Sequence, residues 1–212
     1  MKKFTAIAAL LIAAGSAQAQ LVFDNDRGTG IRNQLFNPAP DVGLTFTAPT
    51  IALGTLDALR PGTITFTYLG QESGYYDGLT LQISPFTSLL ETDLVGKSIT
   101  ATIGKGDVDF KFFDSKGGVA ENGGFWSVSN SIGLIASDFS VTKKPKGSLV
   151  TIGQKFDFVL GYNDSGRNHD DWDDFVVGVN YVAAPIPEPE TYALMLAGLG
   201  MMGFIARRRR AG

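Results

Sequence analysis

Five carboxylates fall within eleven residues of this chain: Asp164, Asp170, Asp171, Asp173 and Asp174. Like charges at this density repel one another unless water solvates them or a cation sits among them. Calcium takes roughly six to eight hard oxygen ligands, and short Asp/Asn-rich loops ahead of a strand can supply them. The five aspartates are therefore expected to ligate calcium, Ca2+ being the one cofactor the sequence implies. A solvated acidic loop with Trp172 as a packing plug is the plainer alternative. A second acidic stretch, Asp24-Asn25-Asp26-Arg27-Gly28, lacks the spaced glutamate of an EF-hand and reads as a turn.

Catalysis has few candidates. His169 is the single histidine and lies between Asn168 and Asp170, which suits a hydrogen-bonding loop residue. A Ser-His-Asp triad would have to use it, and no Gly-x-Ser-x-Gly elbow accompanies it. The absence of cysteine excludes thiol nucleophiles, thiolate zinc sites and disulfides. A glycosidase needs two acids close in space, which linear spacing does not reveal. The expectation is a non-enzymatic protein that engages exopolysaccharide or biofilm matrix. The alternative is a secreted polysaccharide-active enzyme, a carboxylate glycosidase or lyase. For sugar contact, Trp126, Trp172, Tyr75 and Tyr76 could stack on rings if exposed. Thr45/Thr47, Thr63/Thr65/Thr67 and Thr100/Thr102 would form a hydroxyl array suited to carbohydrate or ice if they shared one sheet face. Threonine is equally a good exposed strand residue in its own right.

The elements that must hold these residues are strands. Ile64, Phe66 and Tyr68 alternate with threonines, as do Leu44 and Phe46. The same period of two runs through Leu79, Leu81 and Ile83, through Ile99, Ala101 and Ile103, and through Val108, Phe110 and Phe112. Phe156, Phe158 and Leu160 form one more set, and Phe175, Val177, Val179 and Tyr181 another. Such alternation puts one set inward and the other in water. Gly, Asn, Asp, Ser and Pro clusters separate the runs as turns. Residues 55–59 or 85–90 could form a short turn of helix. The fold class expected is all-β, an antiparallel β-sandwich of jelly-roll type, because no fixed repeat supports a β-helix.

Both ends read as targeting segments. Residues 1–19 carry Lys2 and Lys3, an apolar run over 4–14, and Ala17-Gln18-Ala19. A positive start, a short apolar stretch and small residues define a secretory signal peptide, with Ala17 and Ala19 marking cleavage. At the other end come Pro185-Ile186-Pro187-Glu188-Pro189, an uncharged stretch over 192–206, and Arg207, Arg208, Arg209 and Arg210. The prolines favour an extended, accessible linker. The uncharged stretch makes a helix of roughly 22 Å, short of the roughly 30 Å hydrocarbon core. A transmembrane helix there would need bilayer thinning or snorkelling. Its arginines would stay in the cytoplasm and its domain outside.

This order resembles the PEP-CTERM sorting signal, through Pro187-Glu188-Pro189, the Gly-rich apolar stretch and the arginine cluster. The resemblance implies an exosortase-type membrane protease as partner, cleavage near the motif, and delivery to the cell envelope or extracellular matrix. It covers only the tail. Asp171-Trp172-Asp173-Asp174 also resembles the loop-and-strand ending of some secreted bacterial β-domains, with Asp164 upstream.

The expected organisation is a signal peptide over 1–19, an extracellular domain over 20–184 and a sorting tail over 185–212. The ends hold six of the 18 basic and two of the 21 acidic residues, which leaves the domain at −7. That charge repels nucleic acid and favours cations. Lys143-Lys144-Pro145-Lys146 is the only basic run between the ends and reads as a solvated turn. The protein is expected to be tethered to the inner membrane with its domain in the periplasm, before release to the envelope or matrix.

Overall fold

The computed structural model describes residues 20–25, 29–30, 51–124, 129–164, 172–185 and 189–210. The expected signal segment with Ala17 and Ala19, the Leu44/Phe46 run, Asp26, Trp126, His169, Asp170, Asp171, Pro187 and Glu188 lie outside these residues.

Along the chain the strands are β1 (Leu21–Asp24), β2 (Thr29–Gly30), β3 (Ile51–Leu53), β4 (Thr55–Ala58), β5 (Gly62–Gly70), β6 (Asp77–Leu81) and β7 (Thr87–Leu90). They continue with β8 (Ser98–Ile103), β9 (Gly106–Asp107), β10 (Phe110–Asp114), β11 (Val119–Glu121), β12 (Ser131–Ser140), β13 (Lys155–Asn163) and β14 (Phe175–Ala183). One helix, α1 (Pro189–Arg210), follows. The strands form a seven-stranded sheet in the order β2-β3-β12-β13-β14-β5-β8. A four-stranded sheet runs β11-β10-β6-β7, and a three-stranded one β1-β4-β9. All pairings are antiparallel.

The period of two holds along β5, β8 and β14. Ile64, Phe66 and Tyr68 of β5, Ile99 and Ile103 of β8, and Phe175, Val177 and Val179 of β14 enter one core. Leu79 and Leu81 of β6, Phe110 and Phe112 of β10, and Leu56 of β4 meet them from the smaller sheets. The ring of Phe112 stacks on Tyr162 at 5.4 Å, and Phe110 meets Phe66 at 4.9 Å, so aromatic contacts span the two layers. The chain passes back and forth between layers: β4, then β5, then β6–β7, then β8, then β9–β11, then β12–β14. This is the sandwich alternation that the strand pattern implies.

Three local expectations are corrected. The segments weighed as helical turns contain strands β4 and β7 instead. Each gains ladder partners, β4 with β1 and β7 with β6, and such long-range pairing outweighs local propensity. Phe156 leaves the face of Phe158 and Leu160 and joins a second cluster, against Gly178. Regular pairing of β13 with β14 stops at Phe158 opposite Val179. Beyond it Asn180 Nδ2 donates to Lys155 O at 3.0 Å, and Tyr181 N donates to Asp157 Oδ2 at 2.7 Å, so side chains replace the ladder and the alternation resets.

The second cluster covers the outer face of the seven-stranded sheet at β3, β12 and β13, where Val141, Val150 and Trp172 lie over it. Trp172, weighed as an exposed sugar platform, is 3% exposed and donates from Nε1 to Ser131 Oγ at 3.0 Å. A ring in that position is a core residue.

Candidate functional site

The polar ends of five strands or their loops meet at one end of the sandwich. β6 begins at Asp77, directly opposite Asp114, the last residue of β10. From the other layer, β13 ends in Tyr162 and Asn163 and runs into Asp164, while Asp173 and Asp174 precede β14. The chain leaving β5 passes Gln71, Glu72 and Ser73, and Glu72 N donates to Asp173 O at 3.0 Å. Alternation along β10 and β13 puts Phe112 and Tyr162 into the core, so Asp114 and Asp164 lie just past the last apolar layer.

Asp77, Asp114, Asn163, Asp164, Asp173 and Asp174 are all buried. Asp114, Asp164 and Asp174 accept from identified donors. Asp114 Oδ1 accepts from the amides of Lys116 at 2.7 Å and Gly118 at 2.9 Å. Its Oδ2 accepts from Tyr162 Oη at 3.2 Å. Asp164 Oδ2 accepts from Ser73 Oγ at 2.6 Å, and Asp174 Oδ2 from the amide of Asp164 at 2.8 Å. Asp77 differs: it is 1% exposed, and neither carboxylate oxygen has a hydrogen-bond partner. The single Ser73 proton is already given to Asp164.

Electrostatics follow from this packing. Burial pushes the Asp77 carboxyl up to about 8, the nearby Ser73 hydroxyl works against the rise, and the charges of Asp164, Asp114 and Glu91 add to it. Burial, then the Asp114 carboxylate, also drives the Tyr162 hydroxyl well above the usual phenol range. Tyr162 therefore stays a neutral donor to Asp114.

Of the five aspartates expected to hold calcium, Asp164, Asp173 and Asp174 are brought together here; Asp170 and Asp171 lie outside the described residues. Among the described residues, no group of three or more His, Asp or Glu side chains is placed to hold a metal ion. Asp77, Asp114 and Gln71 were missed by the sequence reading. Their only linear signal is position, at a strand's first or last residue or just after it.

A second candidate surface is the outer face of β5 and β8. The register sets Thr63 opposite Thr102, Thr65 opposite Thr100 and Thr67 opposite Ser98. The Thr65 and Thr100 hydroxyls lie 3.0 Å apart, and those of Thr67 and Ser98 2.9 Å. Thr63, Ser98, Thr100 and Thr102 are exposed, whereas Thr67 is buried. The expected alignment of hydroxyls thus exists for these two strands; Thr45 and Thr47 lie outside the described residues. Among the tyrosines, Tyr76 is 67% exposed, and the Tyr75 ring carries the Lys116 ammonium 5.4 Å from its centroid.

The third feature is the C-terminal segment. β14 is pinned as it ends: Arg60 donates to Ala184 O at 2.8 Å, Ala184 N donates to Pro61 O at 2.8 Å, and Tyr181 Oη donates to Arg60 O. α1 then carries exposed Leu194, Leu196, Leu199, Met201 and Met202 and ends in the arginine cluster. No helix among the described residues is long and apolar enough to cross a membrane. The three glycines at 198, 200 and 203 and the charges at Glu190 and Arg207 dilute its hydropathy, so the expected transmembrane helix is not borne out by length and apolarity.

Residues 185–210 match the family described as the PEP-CTERM protein-sorting motif. The match spans the linker from Pro185 and all of α1. It carries the expected Pro187, Glu188 and Pro189 and the arginines Arg207 to Arg210. This motif supports an exported protein, processed by an exosortase and destined for the envelope or the extracellular space. No significant match exists among curated proteins or among solved structures. The resemblance of residues 171–174 to calcium-associated β-domains finds no support in these comparisons.

Proposed function

We propose that this exported chain is a non-enzymatic component of the extracellular matrix, and that it holds exopolysaccharide on the outer face of β5 and β8. The paired hydroxyls of Thr65 and Thr100, flanked by exposed Thr63, Thr102 and Ser98 on the same two strands, carry the reading. Cross-strand rows about 4.8 Å apart, with same-face residues about 6.8 Å apart along each strand, present a regular grid of donors and acceptors. A polysaccharide displays hydroxyls at comparable intervals and can exchange water for them along its length. Weak contacts of this kind gain strength when many copies bind one polymer.

The buried acids favour binding over hydrolysis. Asp77, Asp114 and Asp164 converge, yet each is buried. A glycosidase needs its two carboxyls around an accessible sugar and a water. Before processing, the tail would hold the domain at the inner membrane, with Arg207 to Arg210 on the cytoplasmic side.

The test is co-sedimentation of the protein with exopolysaccharide purified from the producing cells. Replacing Thr63, Thr100 and Thr102 together by valine should weaken binding about tenfold or more and leave the melting midpoint within a few degrees. Undiminished binding by that variant would overturn the face assignment. Release of reducing ends or unsaturated sugars by the unaltered protein would overturn the non-enzymatic reading.

A further inference from the structure

We infer that this chain forms a dimer through the open edge of β8, which pairs antiparallel with β8 of a second copy about a two-fold axis at Thr100. The inference is independent of the glycan reading.

Sheet edges expose unpaired backbone groups, and proteins keep them from pairing by shortness, charge, proline or bulges. Among the described residues the edge strands are β1 and β9, β11 and β7, and β2 and β8. All but β8 have two to four residues, and β1, β9 and β11 each carry an acid. β8 has six residues, Ser-Ile-Thr-Ala-Thr-Ile, with no charge and no proline. Its register with β5 runs without a shift from Ser98 to Ile103, so no bulge turns it aside. The charge just ahead of it, Lys97, is held by Asp93 at 2.7 Å.

Alternation fixes which groups face the open side. Tyr68 N donates to Lys97 O at 2.9 Å, so Lys97, Ile99, Ala101 and Ile103 turn their backbone groups toward β5. The amides and carbonyls of Ser98, Thr100 and Thr102 then point to the open edge. The side chains of these three are exposed on the outer face of the sheet.

Three open residues at a spacing of two are self-complementary. Setting Thr100 opposite Thr100 of the second copy puts Ser98 opposite Thr102, so all three open residues of each chain find a partner. A shift of two residues in either sense leaves one of them unpaired on each chain. Lys97 then meets Ile103 rather than a second lysine. A two-fold contact of this kind closes, so association stops at two. The outer faces of both copies lie on one side, and the row from Thr65 through Thr100 continues into the second copy. Six residues make an edge roughly 20 Å long, which buries less than the roughly 1,200 Å² of a standard interface. The dimer is therefore weak and depends on concentration.

The experiment uses the whole chain, without polysaccharide. Sedimentation velocity from about 5 to about 500 μM, a range suited to weak interfaces, should show monomer passing to dimer. Thr100→Lys sets two ammonium groups face to face, and Thr100→Pro removes an amide that an edge strand can spare. Each should weaken dimerisation at least about tenfold and leave the melting midpoint of the dilute protein within a few degrees. Thr100→Lys keeps the question decidable if Thr100→Pro fails to fold. The chain has no cysteine, so a single thiol can be introduced. The two Thr100 Cα atoms would lie about 5.5 Å apart, within disulfide reach, and the two Thr102 Cα atoms roughly 14 Å apart. Thr100→Cys should therefore oxidise to a covalent dimer at least about tenfold faster than Thr102→Cys. A chain that stays monomeric throughout would overturn the inference. So would equal cross-linking of the two cysteine variants, or association that neither Thr100→Lys nor Thr100→Pro weakens, as contact through the exposed apolar side chains of α1 would give.

Discussion

Gly161 stands directly opposite Gly133 across β13 and β12, and the hollow left by the two missing side chains is filled by Trp172. A methyl group on Gly161 would lie 1.9 Å from the Trp172 carbonyl oxygen, and one on Gly133 would lie 2.7 Å from the indole. Neither space can take a side chain. The segment bearing Asp173 and Asp174 is therefore fixed by a ring pressed onto bare backbone, and the acid-rich end inherits its geometry from that contact.

Gly161→Ala should destabilise the domain by about 1–3 kcal/mol, the usual cost of overpacking, or more because the clash is with backbone. Trp172→Ala should cost about 3–5 kcal/mol. Urea unfolding followed by circular dichroism measures both.

The Asp77 carboxyl predicts an unusual pH dependence in metal-free protein. Its proton is held up to about 8 in the folded state against 3.8 ordinarily. The folded state thus binds the proton more tightly than the unfolded one. The associated stability is complete below about pH 4 and is lost as pH rises to about 8, with a slope of at most ~1.4 kcal/mol per pH unit. Unfolding in urea with EGTA, between about pH 5 and pH 8, should show this decline. Asp77→Asn should flatten it, and an unchanged slope in that variant would place the titrating group elsewhere.

Tyr162→Phe removes the hydroxyl shared between Asp114 and Asn130 while keeping the ring that stacks on Phe112. The expected cost is about 1–3 kcal/mol, above that of an exposed tyrosine, because the acceptors are buried or partly buried. Chemical denaturation gives the value.

Sorting should depend on the tail and folding should not. Deleting residues 189–210 should leave the melting transition of the domain within a few degrees, since the described apolar side chains of α1 are largely exposed. Replacing Pro187, Glu188 and Pro189 by alanine should block processing, read as an unshortened C-terminus by mass spectrometry. Fractionation of producing cells would then find the protein retained rather than delivered to the envelope or matrix.

Tyr181→Phe tests where the domain ends. Its hydroxyl donates to Arg60 O beside the bonds that pin Ala184. Loss of about 1 kcal/mol is expected, together with faster proteolysis near Pro185.

The linear order of residues determined what depends on near neighbours. Alternation at Ile64, Phe66 and Tyr68 or at Phe175, Val177 and Val179 announced both strand and inward face, because a pleated chain has only two sides. The tail was legible for the same reason: its prolines, apolar run and arginines act in sequence. Only tertiary structure could turn Phe156 to the other face, bury Trp172 on two glycines, or set Asp77 opposite Asp114. Those outcomes depend on which strands become neighbours, and a carboxylate's environment is made by groups far away along the chain. Asp164, Asp173 and Asp174 are near one another along the chain, but Asp77 and Asp114 reach the same end of the sandwich through strand pairing that no local spacing encodes.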